Sequence, residues 1–151
     1  MKTNSTMQLV VDASVLVAEL LRKTGRERLG NPKLELLIPE HTWNETQHEY
    51  GKRIKHLTIH KNLLETESQA LLEAGLNAVR ANLQIVPHAA YAPLEDEAKW
   101  RIPRDPNDWS CVALALAVNC GIWTNDQDFF GCGLATWTTQ TLQEWLEKNE
   151  T

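Results

Sequence analysis

Four carboxylates stand where a fold can gather them: Asp12, Glu45, Asp108 and Asp126. Asp12 follows the apolar run "QLVV", residues 8–11, and Asp126 follows "IWT", residues 122–124. Glu45 lies about two turns into a helix-forming stretch that starts at residue 40, and Asp108 opens "DPNDWSCVALALAVNCG", residues 105–121. Carboxylates gathered without counter-charge repel one another and raise each other's pKa. Such a group usually exists to hold a hard cation. Oxygen donors suit Mg2+ or Mn2+, and Mg2+ takes a few carboxylates and fills its other positions with water and substrate phosphate. Each acid also has a plain structural role. Asp12 is a good N-cap, Asp108 suits the positive end of a helix dipole, and Glu45 fits a solvated helix face.

Other chemistries find less support. His41, Glu45 and Glu49 share one helical face, but no H-E-x-x-H spacing for zinc occurs. There is no G-x-x-x-x-G-K-[ST] phosphate loop, G-x-G-x-x-G turn or G-x-S-x-G elbow. Cys111, Cys120 and Cys132 form no C-x-x-C pair and read as small buried thiols.

The elements that must position the acids alternate along the chain. Strands are expected at 8–11, 34–39, 84–87, 122–124 and 134–139, and helices at 14–23, 40–58, 65–83, 94–102, 105–121 and 140–149. Ser14 is expected to cap the first helix, and Gly121 to stop the helix that starts near Pro106. Short, uniformly apolar strands between helices predict a three-layer α/β/α fold with a central parallel sheet of four to five strands. Function in such sheets sits beyond the carboxyl ends of the strands, where Asp12 and Asp126 fall.

A chain of 151 residues suits one domain, residues 1–151. No apolar run approaches the ~20 residues of a membrane span. The start, "MKTNSTMQLVVDAS", lacks the long apolar core of a signal peptide, so the expected compartment is the cytoplasm. The net charge of −5 argues against a protein that coats nucleic acid by bulk attraction. It leaves room for an acidic site neutralised by metal. Basic residues cluster at 20–28, 51–56 and Lys99, Arg101 and Arg104, either as solvated faces or as a rim for phosphates.

Three segments carry a resemblance: "LVVDASVLV", "IPEHTWNETQHEY" and "RDPNDWSCVALALAVNCGIWTNDQDFFGCG". Together the pattern resembles the PIN-domain ribonucleases, which include the VapC-type toxins of toxin–antitoxin pairs. By position the resemblance implies Asp12, Glu45, Asp108 and Asp126 as catalytic acids, with Asp12, Asp108 and Asp126 on Mg2+ or Mn2+. Asp128 matches a further, more variable acid, either at the metal or in a turn. Asp105 competes with Asp108 for the third position, and Asp108 fits better because it stands seven residues before the small Ala115. The chain departs from the family in one place: many members carry a hydroxyl residue directly after the first Asp, whereas here Ala13 intervenes and Ser14 supplies the hydroxyl. Thr124 is placed to hydrogen-bond a ligand or phosphate, and Arg104, Arg53 and Lys52 to contact RNA phosphates.

The implied activity is metal-dependent hydrolysis of RNA phosphodiester bonds. The implied partners are an RNA substrate, a cognate antitoxin and a second copy in a homodimer, with no membrane. Trp43, Trp100 and Trp109 either line an antitoxin groove or pack in the core. Two competitors come from other classes. One is a PIN-fold binding module that does not cleave, separable by metal titration. The other is an aspartyl-phosphate phosphatase or receiver domain, which the Ser at position 14 disfavours by removing the second Asp of an Asp-x-Asp pair.

Overall fold

The computed structural model describes residues 5–150. The order of elements is β1 (Met7–Val11), α1 (Ala13–Leu20), α2 (Lys23–Leu29), β2 (Leu34–Pro39), α3 (Glu40–His60), α4 (Glu65–Asn82) and β3 (Leu83–Val86). There follow α5 (Glu95–Arg101), α6 (Trp109–Val118), β4 (Gly121–Trp123), β5 (Thr136–Trp137) and α7 (Thr139–Lys148). The five strands form one parallel sheet in the order β3-β2-β1-β4-β5. Helices cover both faces, as expected from the apolar strands. Among the described residues no helix is long and apolar enough to cross a membrane.

Strand side chains alternate between two cores, because successive residues of a strand point to opposite faces. Leu9, Val11, Leu36, Ile38 and Trp123 join α1–α4 and α7, with Tyr50 and Leu142 among the buried partners. Val10, Leu37 and Ile122 join α5, α6 and the loop around Phe129. Residues 111–115 of α6 are all buried, so this helix is held on every side and is a firm support for the acid at its start. Shortening Leu114 to alanine there should cost about 2–5 kcal/mol.

The differences from expectation have local causes. The first helix ends at Leu20, and a second, α2, begins at Lys23. Arg22 is extended between them, and Gly25 sits so close to the Glu19 backbone that an added Cβ would clash with it. Asp12, not Ser14, holds the N-cap position of α1, and its carboxylate makes no capping hydrogen bond. The region opening at Pro106 begins as a 3-10 turn, Pro106–Asp108, capped by the Asp105 carboxylate, which accepts the Asn107 N–H at 3.3 Å. Helix α6 stops at Asn119, which takes the left-handed conformation (φ 56°), while Gly121 is already in β4. The last strand is shorter than predicted, only Thr136–Trp137.

Candidate active site

Strand order reverses direction at the β1–β4 boundary: β2 and β3 lie on one side, β5 on the other. That boundary is the switch point at which open α/β sheets leave a crevice. The pairing runs to its edge, where the Asp12 N–H donates to the Trp123 carbonyl at 3.0 Å. Asp12 and Thr124 thus leave the sheet side by side. Thr124 Oγ1 and Ser14 Oγ both donate to Asp12 Oδ2 at 2.9 Å. The Asp126 N–H in turn donates to Thr124 Oγ1 at 3.0 Å. Asp126 Oδ1 accepts the Asp128 N–H at 2.9 Å, which turns the chain into the 3-10 turn Gln127–Phe129. One buried hydroxyl therefore ties the two strand-end aspartates together, and a turn fixes the second.

Asp12, Ser14, Asp108 and Asp126 line one cleft of about 360 Å³, together with Ala13, Val17, Ala18, Leu21, Arg22, Glu49 and Arg53. Burial pushes the Asp12 carboxyl up, against the pull of the Ser14 and Thr124 hydroxyls, and the charge of Asp126 adds to the rise. Asp108 is pushed up to about 7, first by burial, then by the charges of Asp12 and Asp105, a hydrogen bond with Asp105, and the charge of Asp126. The charges of Asp12, Asp108 and Asp126 thus reach one another across the cleft.

The remaining residues singled out in the sequence fall around this group. Thr124 lies buried beneath it. Glu45 does not line the cleft and its Oε1 pairs with His41 Nε2 at 3.1 Å. Its charge still acts on the buried Cys111 thiol, as do those of Asp12 and Asp108. Asp105 caps the turn and hydrogen-bonds Asp108. The Asp128 carboxylate is engaged by Arg104 Nε at 3.4 Å, and Lys52 pairs with Glu49 at 3.6 Å. Arg53 alone of the three expected phosphate contacts lines the cleft. Two of the three tryptophans are core packing: Trp43 lies against one core and Trp109 against the other. Trp100 is 77% exposed.

Arg22 and Glu49 line the cleft without having been singled out for it. The sequence held a signal for each. Arg22 belongs to the basic run at 20–28, and Glu49 is one turn beyond Glu45 on α3.

The donor set decides which cation fits. The polar side chains at the strand end of the cleft offer only oxygen, from Asp12, Ser14, Asp108 and Asp126, which suits Mg2+ or Mn2+ over softer metals. Among the described residues no three His, Cys, Asp or Glu side chains form a compact metal cage. The raised carboxyls are what an acid group shows when its charge is uncompensated, and a divalent cation would relieve it.

The open parallel sheet thus gathers the buried Asp12 and the half-buried Asp108 and Asp126 at its switch point, with two arginines on the same cleft. Residues 10–147 match the PIN domain family, and the chain belongs to it. PIN domains are generally nucleases and generally use divalent metals. The structure is similar to the crystal structure of PAE2754 from Pyrobaculum aerophilum, with a TM-score of 0.65 at 16% identity, over 94% of this chain and 96% of that one. At that identity the likeness is one of fold. None of the curated proteins matches the chain in sequence.

Proposed function

We propose that residues 1–151 form one PIN-like domain that acts as a metal-dependent endoribonuclease in the cytoplasm, as the VapC-like toxin of a toxin–antitoxin pair. The observation that carries the catalytic part is the convergence of Asp12, Asp108 and Asp126 on one cleft that also presents Arg53. Asp12, Asp108 and Asp126, with Asp128 as a further candidate ligand, would hold Mg2+ or Mn2+, and Glu45 would be the flanking acid. When bound, the metal supplies Lewis acidity at the phosphate and lowers the pKa of a coordinated water.

The chain's own groups do the rest. Ser14 and Thr124 fix the Asp12 carboxylate by donating to Oδ2. Asp126 is held by its own turn, and the rigid α6 holds Asp108 at its N-terminus. Glu45, once released from His41, would orient the attacking water. Arg53 contacts phosphate along the strand, and Arg104 and Lys52 do so once RNA draws them from Asp128 and Glu49.

The test is incubation of the purified chain with single-stranded RNA and Mg2+ or Mn2+. Internal cuts that vanish with chelator and in Asp12→Asn support the reading. Binding of RNA without cutting in either metal would leave a binding module instead. The toxin role follows the resemblance of the "RDPNDW…IWTNDQDFFG" segment to that subgroup, and its measurement is growth on induced expression. Arrest in wild type and none in Asp12→Asn is the expected result. An antitoxin and a homodimer belong to the same proposal, tested by co-purification with a neighbouring small gene product and by light scattering.

A further inference from the structure

Of the seven arginines, five are engaged by carboxylates, amides or carbonyls of the described residues. The side chains of Arg22 and Arg53 have no hydrogen-bond or ion-pair partner among those residues. Both are exposed, and both line the cleft that holds the acids. They come from different elements, Arg22 from the α1–α2 junction and Arg53 from α3, so the packing of the fold brings two like charges to one place. Guanidinium groups take phosphate bidentately, and a partnerless pair is ready for an anion.

The wall between the acids and these arginines includes Val17 and Ala18 of α1 and Leu21, its C-cap residue, which stands four and three residues beyond them. The cleft is therefore acidic, then apolar, then net basic, where Glu49 stands with the two arginines and is itself paired with Lys52 at 3.6 Å. A polynucleotide strand presents the matching order: a phosphate at the metal, a nucleoside, and a second phosphate.

The geometry points to Arg22 and Arg53 as a subsite for the phosphate of the nucleotide next to the scissile one, with the intervening nucleoside lying on the apolar α1 face. This rests on the reading of the cleft as an RNA-cleaving site. It also commits the substrate to be unpaired there, because a base still stacked in a duplex cannot lie against α1 in a cleft of about 360 Å³.

The test is fluorescence anisotropy of a labelled oligouridylate of eight nucleotides, bound in chelator so that it stays intact, over a range of salt. Arg22→Gln/Arg53→Gln should bind about a hundredfold more weakly, about tenfold per arginine. Its log–log salt slope should flatten by about 0.7, the value for one phosphate contact on a single strand. Arg80→Gln, which removes a charge far along α4, should bind as wild type does, and a duplexed probe should compete poorly.

Affinity within about twofold of wild type in the double variant, an equal loss in Arg80→Gln, a preference for duplex, or no binding by wild type would each overturn the subsite. Cleavage in Mg2+ is measured in parallel, where the double variant should raise KM and leave kcat unchanged. Arginine-dependent binding without cleavage would sink the nuclease reading and spare the subsite. Cleavage with a KM indifferent to both arginines would do the reverse.

Discussion

At the strand end of the cleft the carboxylates are drawn into the fold. Asp12 is 5% exposed, carries two hydroxyl donors on one oxygen, and is coupled through charge to Asp108 and Asp126. A few turns away on the same cleft, Arg22 and Arg53 stand exposed, their side chains without a partner among the described residues. The acidic end is supported by β1, β4 and α6, the most deeply buried part of the molecule. The basic end is borne by the ends and outer faces of α1 and α3. Groups that act on reacting atoms need a fixed geometry, whereas groups that gather a flexible polyanion work from a distance and through long side chains. The contrast is that of a reaction centre and a binding surface, and substitutions at the two ends should fail differently.

The largest effect belongs to the acidic end. Asp126→Asn removes a carboxylate but keeps the shape of its turn, and should lower kcat in Mg2+ by more than about a hundredfold, beyond what loss of a supporting residue does. Its circular dichroism spectrum should match wild type. Next comes the hydroxyl beneath. Thr124→Val keeps the volume but removes the donor to Asp12 and the acceptor for the Asp126 N–H, and should cost about 10–100-fold in activity or metal affinity. A variant with wild-type Mn2+ affinity and rate would show the hydroxyl to be mere packing.

Glu45 and Glu49 sharpen the comparison, since they sit one turn apart on α3. Glu45 acts through its charge on the same thiol as Asp12 and Asp108, and Glu49 lines the cleft with the arginines. Glu45→Gln should lower kcat by about 10–100-fold. Glu49→Gln should spare kcat and lower KM about two- to threefold by removing a like charge from the path of the phosphates. The reverse pattern would move the catalytic acid one turn along the helix.

The smallest effect is on stability. The Asp108 carboxyl has an ordinary value of 3.8 and is pushed up to about 7 in the fold. Between those values the native state keeps a proton that the unfolded chain has released. Its favourable contribution is therefore complete below pH 3.8 and lost as pH rises through about 7. The metal-free protein should lose thermal stability from pH 5 to pH 8, and Mn2+ should raise Tm more at pH 8 than at pH 5. Asp108→Asn should flatten the decline. Differential scanning fluorimetry with and without chelator checks this, and a Tm that rises over the same interval would contradict it.

Much of this fold was legible because its strands are short apolar runs between helical segments, and because Asp12 and Asp126 end two of those runs. The acids at the sheet edge needed only the rule that parallel strands offer their carboxyl ends. What was not legible depends on close approach. Nothing in "LLRKTGRER" announces that Gly25 lets α2 fold back against Glu19, which leaves Arg22 at the cleft. Choosing Asn119 over Gly121 as the helix stop depends on which residue takes the left-handed conformation. That Glu49 lines the cleft while Glu45 pairs with His41 depends on how far along α3 each lies, since the two share one face of that helix. Asp128 was open between metal and turn; its N–H serves the turn and its carboxylate meets Arg104.

The central claim is that the acidic end reacts and the basic end binds. The most direct measurement is steady-state cleavage of one end-labelled single-stranded RNA in Mg2+ by wild type, Asp126→Asn and Arg22→Gln/Arg53→Gln. Asp126→Asn should lose kcat even at saturating RNA, while the arginine variant should keep kcat and raise KM. Undiminished kcat in Asp126→Asn would contradict that claim.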